Sequence, residues 1–233
     1  MAAAEVIAKA SRPYHVIIAS RNAQNGDKAL AEVKAKEGVK GSLSTIQLDV
    51  TNSESIRKAA KEVEKQFGRL DVLVNNAGID DTGSDLAKSL EANFRVNVIG
   101  AALMSEAFQP LLLKSKAPYS IYVTSGLGSL GLAEDKNHMY YPVDHITYRV
   151  SKAALNMWAV EEHRILGAKG VKVFVMCPGL VESNLRGKSE EARSAGGYAT
   201  SPLVSGETML SIIEGKRDAD VGKFVHKDGV YPW

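Results

Sequence analysis

Tyr148 and Lys152 stand four residues apart in a segment of helical period, residues 146–166, so their side chains lie on one face about one turn apart. An ammonium beside a phenol favours the phenolate. It draws the phenol's pKa down from about 10, toward a range in which the group exchanges a proton with a carbonyl or an alcohol. Such a pair also occurs on ordinary surface helices, and its meaning comes from what surrounds it. Asn75-Asn76-Ala77-Gly78 ends one short apolar run, Asn97 lies in a helical stretch, Ser125 ends a second run and Pro178-Gly179 ends a third. The five histidines, His15, His138, His145, His163 and His226, show no metal-ligand spacing, so no metal site is expected. The lone cysteine, Cys177, excludes a redox dithiol and reads as a small buried apolar residue.

The elements that must carry these residues alternate. Short β-branched runs (15–20, 43–49, 70–74, 120–124, 171–176 and 223–226) are separated by helical stretches (2–10, 24–37, 53–67, 86–113, 146–166 and 206–214). This order predicts α/β architecture, a doubly wound parallel sheet built as one domain over residues 1–233. Ser53 is the expected cap of the third helix, and apolar runs such as 16–19 and 72–74 are expected to be buried on both faces. The segment 187–205, rich in Gly and Ser, reads as mobile. With 233 residues, 45% hydrophobic and 24% charged, the chain can bury one core. Its net charge of +2 gives no field for drawing in nucleic acid or an anionic membrane. No apolar run approaches the roughly 18 residues of a membrane span. The start lacks the basic and apolar parts of a signal peptide, so the expectation is a cytoplasmic protein whose partner is a small molecule.

Taken in order, Asn75 to Gly78, Asn97, Ser125, Tyr148, Lys152 and Pro178-Gly179 resemble the motif set of the short-chain dehydrogenase/reductase family along nearly the whole chain. The resemblance implies a Rossmann-like fold and hydride exchange with a nicotinamide cofactor. Tyr148 would be the acid for carbonyl reduction or the base for alcohol oxidation. Lys152 would lower its pKa and hold the nicotinamide ribose, Ser125 would donate to the substrate oxygen, and Asn97 would support the lysine through water. For the cofactor, the resemblance assigns Asp49 and Val50 to the adenine, and Asn75, Ala77 and Gly78 to the adenosine and ribose side. Pro178, Gly179, Val181 and Ser183 fall to the nicotinamide amide, with Tyr148 and Lys152 beside it. Arg21, after the strand that faces the adenine ribose, could pair with a 2′-phosphate and so favours NADP(H). Plainer roles stay open: Asp49 as a helix cap, Arg21 as a solvated strand end and Ser125 as part of a turn.

The chain also departs from the family. The first strand and the Gly-rich loop that would precede residues 2–10 are missing, and with them the backbone N–H groups that cradle a pyrophosphate. That strand is central, so its neighbours would be left with unpaired edges. Two explanations are open: an upstream segment in the working protein, or a non-redox relative (a ligand-binding, scaffolding or cyclase-like protein) that has lost the nucleotide. Between Ser125 and Tyr148 lie residues 133–144, which resemble the insertion of the carbonyl-reductase branch. They read as a lid offering Met139, Tyr140 and Tyr141, or else as an ordinary surface loop, with His138 and His145 near substrate. Family members usually form dimers or tetramers through long helices, whereas this insertion accompanies monomers.

Overall fold

In a computed structural model describing residues 1–233, seven strands fall into two sheets that no ladder joins. The first holds β1 (His15–Ser20) and β2 (Ser42–Gln47), paired in parallel. The second holds β3 (Val72–Asn75), β4 (Tyr119–Val123), β5 (Lys172–Met176), β6 (Phe224–His226) and β7 (Gly229–Val230) in that order. The first four are parallel and β7 is an antiparallel addition. The break between β1 and β3 falls where the doubly wound order places its first strand.

Helix layers hold the two sheets together. On one side α3 (Ser53–Phe67) and α5 (Ala101–Leu112) join Ile46 and Leu48, which follow or end β2, to Leu73 of β3, with Ile17 of β1 against the same cluster. On the other, α1 (Ala2–Ala8) packs on α9 (Leu203–Ile213), where Val16 of β1 and Val72 and Val74 of β3 meet one core. Shared apolar burial thus spans a gap that hydrogen bonds do not. The gap corrects one expectation: no residue of β1 is fully buried and Ala19 is exposed, because the strand has a neighbour on one edge only.

Local signals explain most element ends. α2 (Ala23–Lys34) is capped by Asn22. Helix α3 keeps its expected span, but its cap is Asn52, whose side chain accepts the N–H groups of Glu54 and Ser55, and not Ser53. Gly68, in the left-handed region at φ 72°, ends it. The expected helix 86–113 is α4 (Leu86–Phe94), a π-helical stretch Arg95–Gly100 and then α5. The longest helix, α7 (Ile146–Leu166), follows the short α6 (Leu130–Glu134). The segment 187–205, expected to be mobile, contains short elements. It carries α8 (Glu190–Ser194), and the Arg186 guanidinium ties it down by donating to the carbonyls of Val181, Ala192 and Arg193 at 2.8, 3.0 and 2.6 Å. No helix is long and apolar enough to cross a membrane.

Candidate active site

Helix α7 turns Tyr148, Ser151, Lys152 and Leu155 toward the sheet. The loop after β4 meets it at Gly128, where a Cβ would stand 2.7 Å from the Lys152 Cβ, so only glycine allows this approach. The Gly128 carbonyl accepts the Asn156 amide at 3.1 Å. The same loop brings in Ser125. Its Oγ accepts the Leu127 N–H at 3.2 Å, and the hydroxyl lies close enough to the Tyr148 phenol to lower its pKa. A partly apolar groove lined by Leu130, Val143, Ile146 and Val150 adjoins this corner, since Leu127, Gly128 and His145 also line it.

Tyr148 is 5% exposed, and burial raises its pKa above the usual value of about 10. The Asp80 carboxylate adds to the rise and Cys177 does too, while the Ser125 hydrogen bond and the Arg186 charge work against it. The expectation that Lys152 would pull the phenol down is therefore reversed here by desolvation. Lys152 is itself buried; its Nζ lies 5.6 Å from the Tyr148 ring centre and donates to the Val123 carbonyl at 3.2 Å. Burial pushes its pKa down to about 8, with Cys177 and Asp80 opposing.

The lysine shift has a consequence for stability. A group held less basic in the folded chain than in the unfolded one makes stability rise with pH between the two values, here from about 8 to 10.5, and its full penalty applies below about 8. Lys152→Met is therefore expected to stabilise the fold at pH 7, by about 3 kcal/mol or several degrees in melting temperature. Thermal denaturation at pH 7 and pH 10 checks this, because the gain should shrink at the higher pH.

Asn97 is fully buried in the π-helical stretch, a local widening frequent at functional sites. Its Oδ1 accepts the Ile79 N–H and its Nδ2 donates to the Ile79 carbonyl and the Ser151 hydroxyl, each at 2.9 Å. It thus fixes the loop after β3, bringing Gly78 so close that a Cβ there would stand 3.3 Å from the Lys152 Nζ and 3.4 Å from the Asn97 Oδ1. Ser125, Tyr148, Lys152, Asn97 and Gly78 share one corner. Arg21, Asp49 and Val50 form a second group at the ends of β1 and β2. There the Asp49 Oδ1 accepts the Thr51 N–H and hydroxyl at 2.9 and 2.7 Å, and these bonds, helped by the Arg21 and Arg95 charges, hold its carboxyl low. Asp49 therefore shapes a turn, and Asn52 does the capping. Val50 packs against Gly100.

Past β5, the Cys177 Sγ accepts the N–H groups of Gly126 and Gly179 at 3.2 and 3.4 Å, inside the core. The thiol's pKa is raised by burial, as fits an inert cysteine. Pro178 and Gly179 turn the chain, the Val181 carbonyl is bound by Arg186, and the Ser183 Oγ accepts the Leu185 N–H. In the lid segment Tyr140 turns inward against Gly126, whereas Met139 and Tyr141 are exposed. Two residues that spacing alone did not single out, Asp80 and Arg186, put their charges on Tyr148.

Two observations fit a bound dinucleotide. The Asn75 side chain is buried with neither its Oδ1 nor its Nδ2 hydrogen-bonded, and Lys152 spends one of three donors on protein. Both leave polar atoms free for a cofactor's ribose. The pyrophosphate cradle is not among residues 1–233.

Parallel strands between helix layers, with a strand-end loop bringing Ser125 to Tyr148 and Lys152 of α7, define a Rossmann-type α/β protein. The chain belongs to the short-chain dehydrogenase family, whose model matches residues 2–194. It is 35% identical to the short-chain dehydrogenase/reductase tropE of Talaromyces stipitatus over 97% of this chain and 90% of that one. It is also 32% identical to eupG of a Phoma species, over 95% and 88%. In fold it resembles an NADPH-bound carbonyl reductase from chicken fatty liver (TM-score 0.79, 24% identity, 97% of this chain and 91% of the other). A similar likeness holds for the carbonyl reductase Sniffer of D. melanogaster (TM-score 0.79, 21% identity, 100% and 94%).

Proposed function

We propose that this oxidoreductase interconverts a carbonyl and an alcohol with NADP(H), and that Tyr148 is its proton donor and acceptor. The observation that carries the proposal is the buried corner in which the phenol faces the Ser125 hydroxyl with an ammonium 5.6 Å from its ring. The bound dinucleotide supplies the hydride. Ser125 donates to the substrate oxygen as charge grows on it, and Tyr148 delivers the proton to that oxygen. Lys152 carries donors for the ribose and a positive charge that steadies the phenolate once the proton has left. Asn97 keeps Gly78 against the lysine. Burial favours the protonated phenol, which suits carbonyl reduction at neutral pH.

Arg21 supports NADP(H), because a guanidinium pairs with a 2′-phosphate and its charge already reaches the adenine-side turn at Asp49. The carbonyl reductase from chicken liver was solved with NADPH, which favours the same cofactor. Fluorescence titration with NADPH and NADH, followed by turnover with a panel of aldehydes and ketones, tests the reading. Arg21→Asp is expected to reduce the preference for NADPH over NADH by roughly tenfold or more. A chain that neither binds nor oxidises NADPH, even when a strand and Gly-rich loop are joined ahead of Met1, would overturn the reading in favour of a non-redox binding protein.

A further inference from the structure

Asp80 lies two residues past Gly78, and its carboxylate has no place in the proton path described above. Its side chain is 7% exposed. The Oδ2 is bonded to the His145 Nδ1 at 2.7 Å, while the Oδ1 is buried with no partner at all. A carboxylate only accepts, so the imidazole donates from Nδ1. His145 caps α7 one turn ahead of Tyr148, with a ring about a third exposed. An anion stripped of water with one oxygen unsatisfied acts on its surroundings far more strongly than a surface carboxylate, because little solvent screens it.

The groups facing Tyr148 can be named element by element. Asp80 comes from the loop after β3, Ser125 from the loop after β4, Cys177 from the end of β5, Arg186 from the turn beyond it, and Lys152 from α7 itself. Asp80 and Arg186 act on the phenol in opposite senses, the carboxylate raising its proton affinity and the guanidinium lowering it. Near His145, Arg149 is committed to the carbonyls of Tyr140 and Val143, and Asp81 turns away to the Gly83 N–H and the Ser89 hydroxyl. Asp80 is thus the negative charge left free to act on the tyrosine.

We propose that Asp80, held in place by His145, is a positioning residue that sets the proton affinity of Tyr148 and so the pH at which the enzyme changes from reducing to oxidising. This rests on the acid-base role given to Tyr148. The His145 bond anchors Asp80 at the start of α7, one turn from Tyr148, and Gly78 two residues earlier stands against Lys152, so a carboxylate charge there discourages a second one on the phenolate and helps Lys152 stay an ammonium.

The test is the pH profile of alcohol oxidation by the holoenzyme, paired with a readout that needs no turnover. For the second, tyrosines are replaced by a fluorinated analogue that ionises in an accessible pH range, the Tyr148 fluorine resonance is assigned by its loss in Tyr148→Phe, and its titration is followed. Asp80→Asn, which keeps the shape and removes the charge, is expected to move both midpoints down by about one pH unit. Asp80→Glu and His145→Gln, which keep the charge and a donor to it, should leave them within a few tenths. Midpoints unchanged in Asp80→Asn, or lowered equally in Asp80→Glu, overturn the proposal and assign Asp80 to loop structure. Absence of turnover with a fluorine midpoint that still shifts would sink the oxidoreductase reading and leave the charge coupling standing.

Discussion

Tyr148→Phe is expected to lower kcat/KM for carbonyl reduction by about 100-fold to 10,000-fold, the range that a positioned general acid contributes, with little change in cofactor affinity. The phenylalanine ring fills the same buried volume at 5% exposure, so α7 keeps its packing and only the hydroxyl is lost. The pH dependence of the parent enzyme makes the argument stricter. Burial and the Asp80 charge hold the phenol above its usual value of about 10, so the acid form is complete at neutral pH and below. Reduction should be flat there as far as Tyr148 is concerned, and oxidation should climb as pH rises and the phenolate forms. Steady-state rates in both directions across pH 6 to 10 check this. Equal rates for Tyr148→Phe and its parent would take the proton role away from this residue.

Which parts of this were legible in the chain depended on the range of the interaction. Helices set by local periodicity and end signals stand where expected, α3 and α7 over their full spans. Their caps were less readable, because Asn52 and Ser53 are both good capping residues and only backbone geometry decides between them. The two-residue β7 gave no pattern long enough to read. Tyr148 and Lys152 were visible because a helix converts four residues of sequence into one turn of space. Asp80 and His145 were not recognised as a pair, since 65 residues separate them and only the packing of α7 against the loop after β3 brings them together. Glu162 hid for a related reason. A glutamate late in a helix reads as facing solvent, yet it is buried against the Ser105 and Ser120 hydroxyls from α5 and β4, and burial raises its carboxyl's pKa. The interruption of the sheet, in contrast, follows from the strand order, because no apolar run ahead of residue 15 is available to pair with both β1 and β3.

That interruption gives the other large effect. Joining an apolar strand of about six residues and a Gly-rich turn ahead of Met1 is expected to raise stability by about 5 kcal/mol and NADPH affinity by about 100-fold or more. The stability gain comes from side chains. New ladder bonds to β1 and β3 are worth about 1 kcal/mol each, and ordering six residues costs about as much in total, so the two terms nearly offset. What remains is burial of the strand's own apolar side chains between the two helix layers, together with the half-exposed Val16, Ile17 and Ile18 of β1 and Val72 and Val74 of β3. The affinity gain has a different source, two or three backbone N–H groups and a helix end aimed at the pyrophosphate. The two effects can therefore be separated. Replacing the glycines of the joined turn by valine should return NADPH affinity to that of the present chain while keeping most of the added resistance to urea. Replacing the strand's apolar residues by serine should remove both. A urea midpoint unchanged by the added strand would mean that the facing edges of β1 and β3 do not accept it, and the helix layers alone would then account for the stability of this sheet.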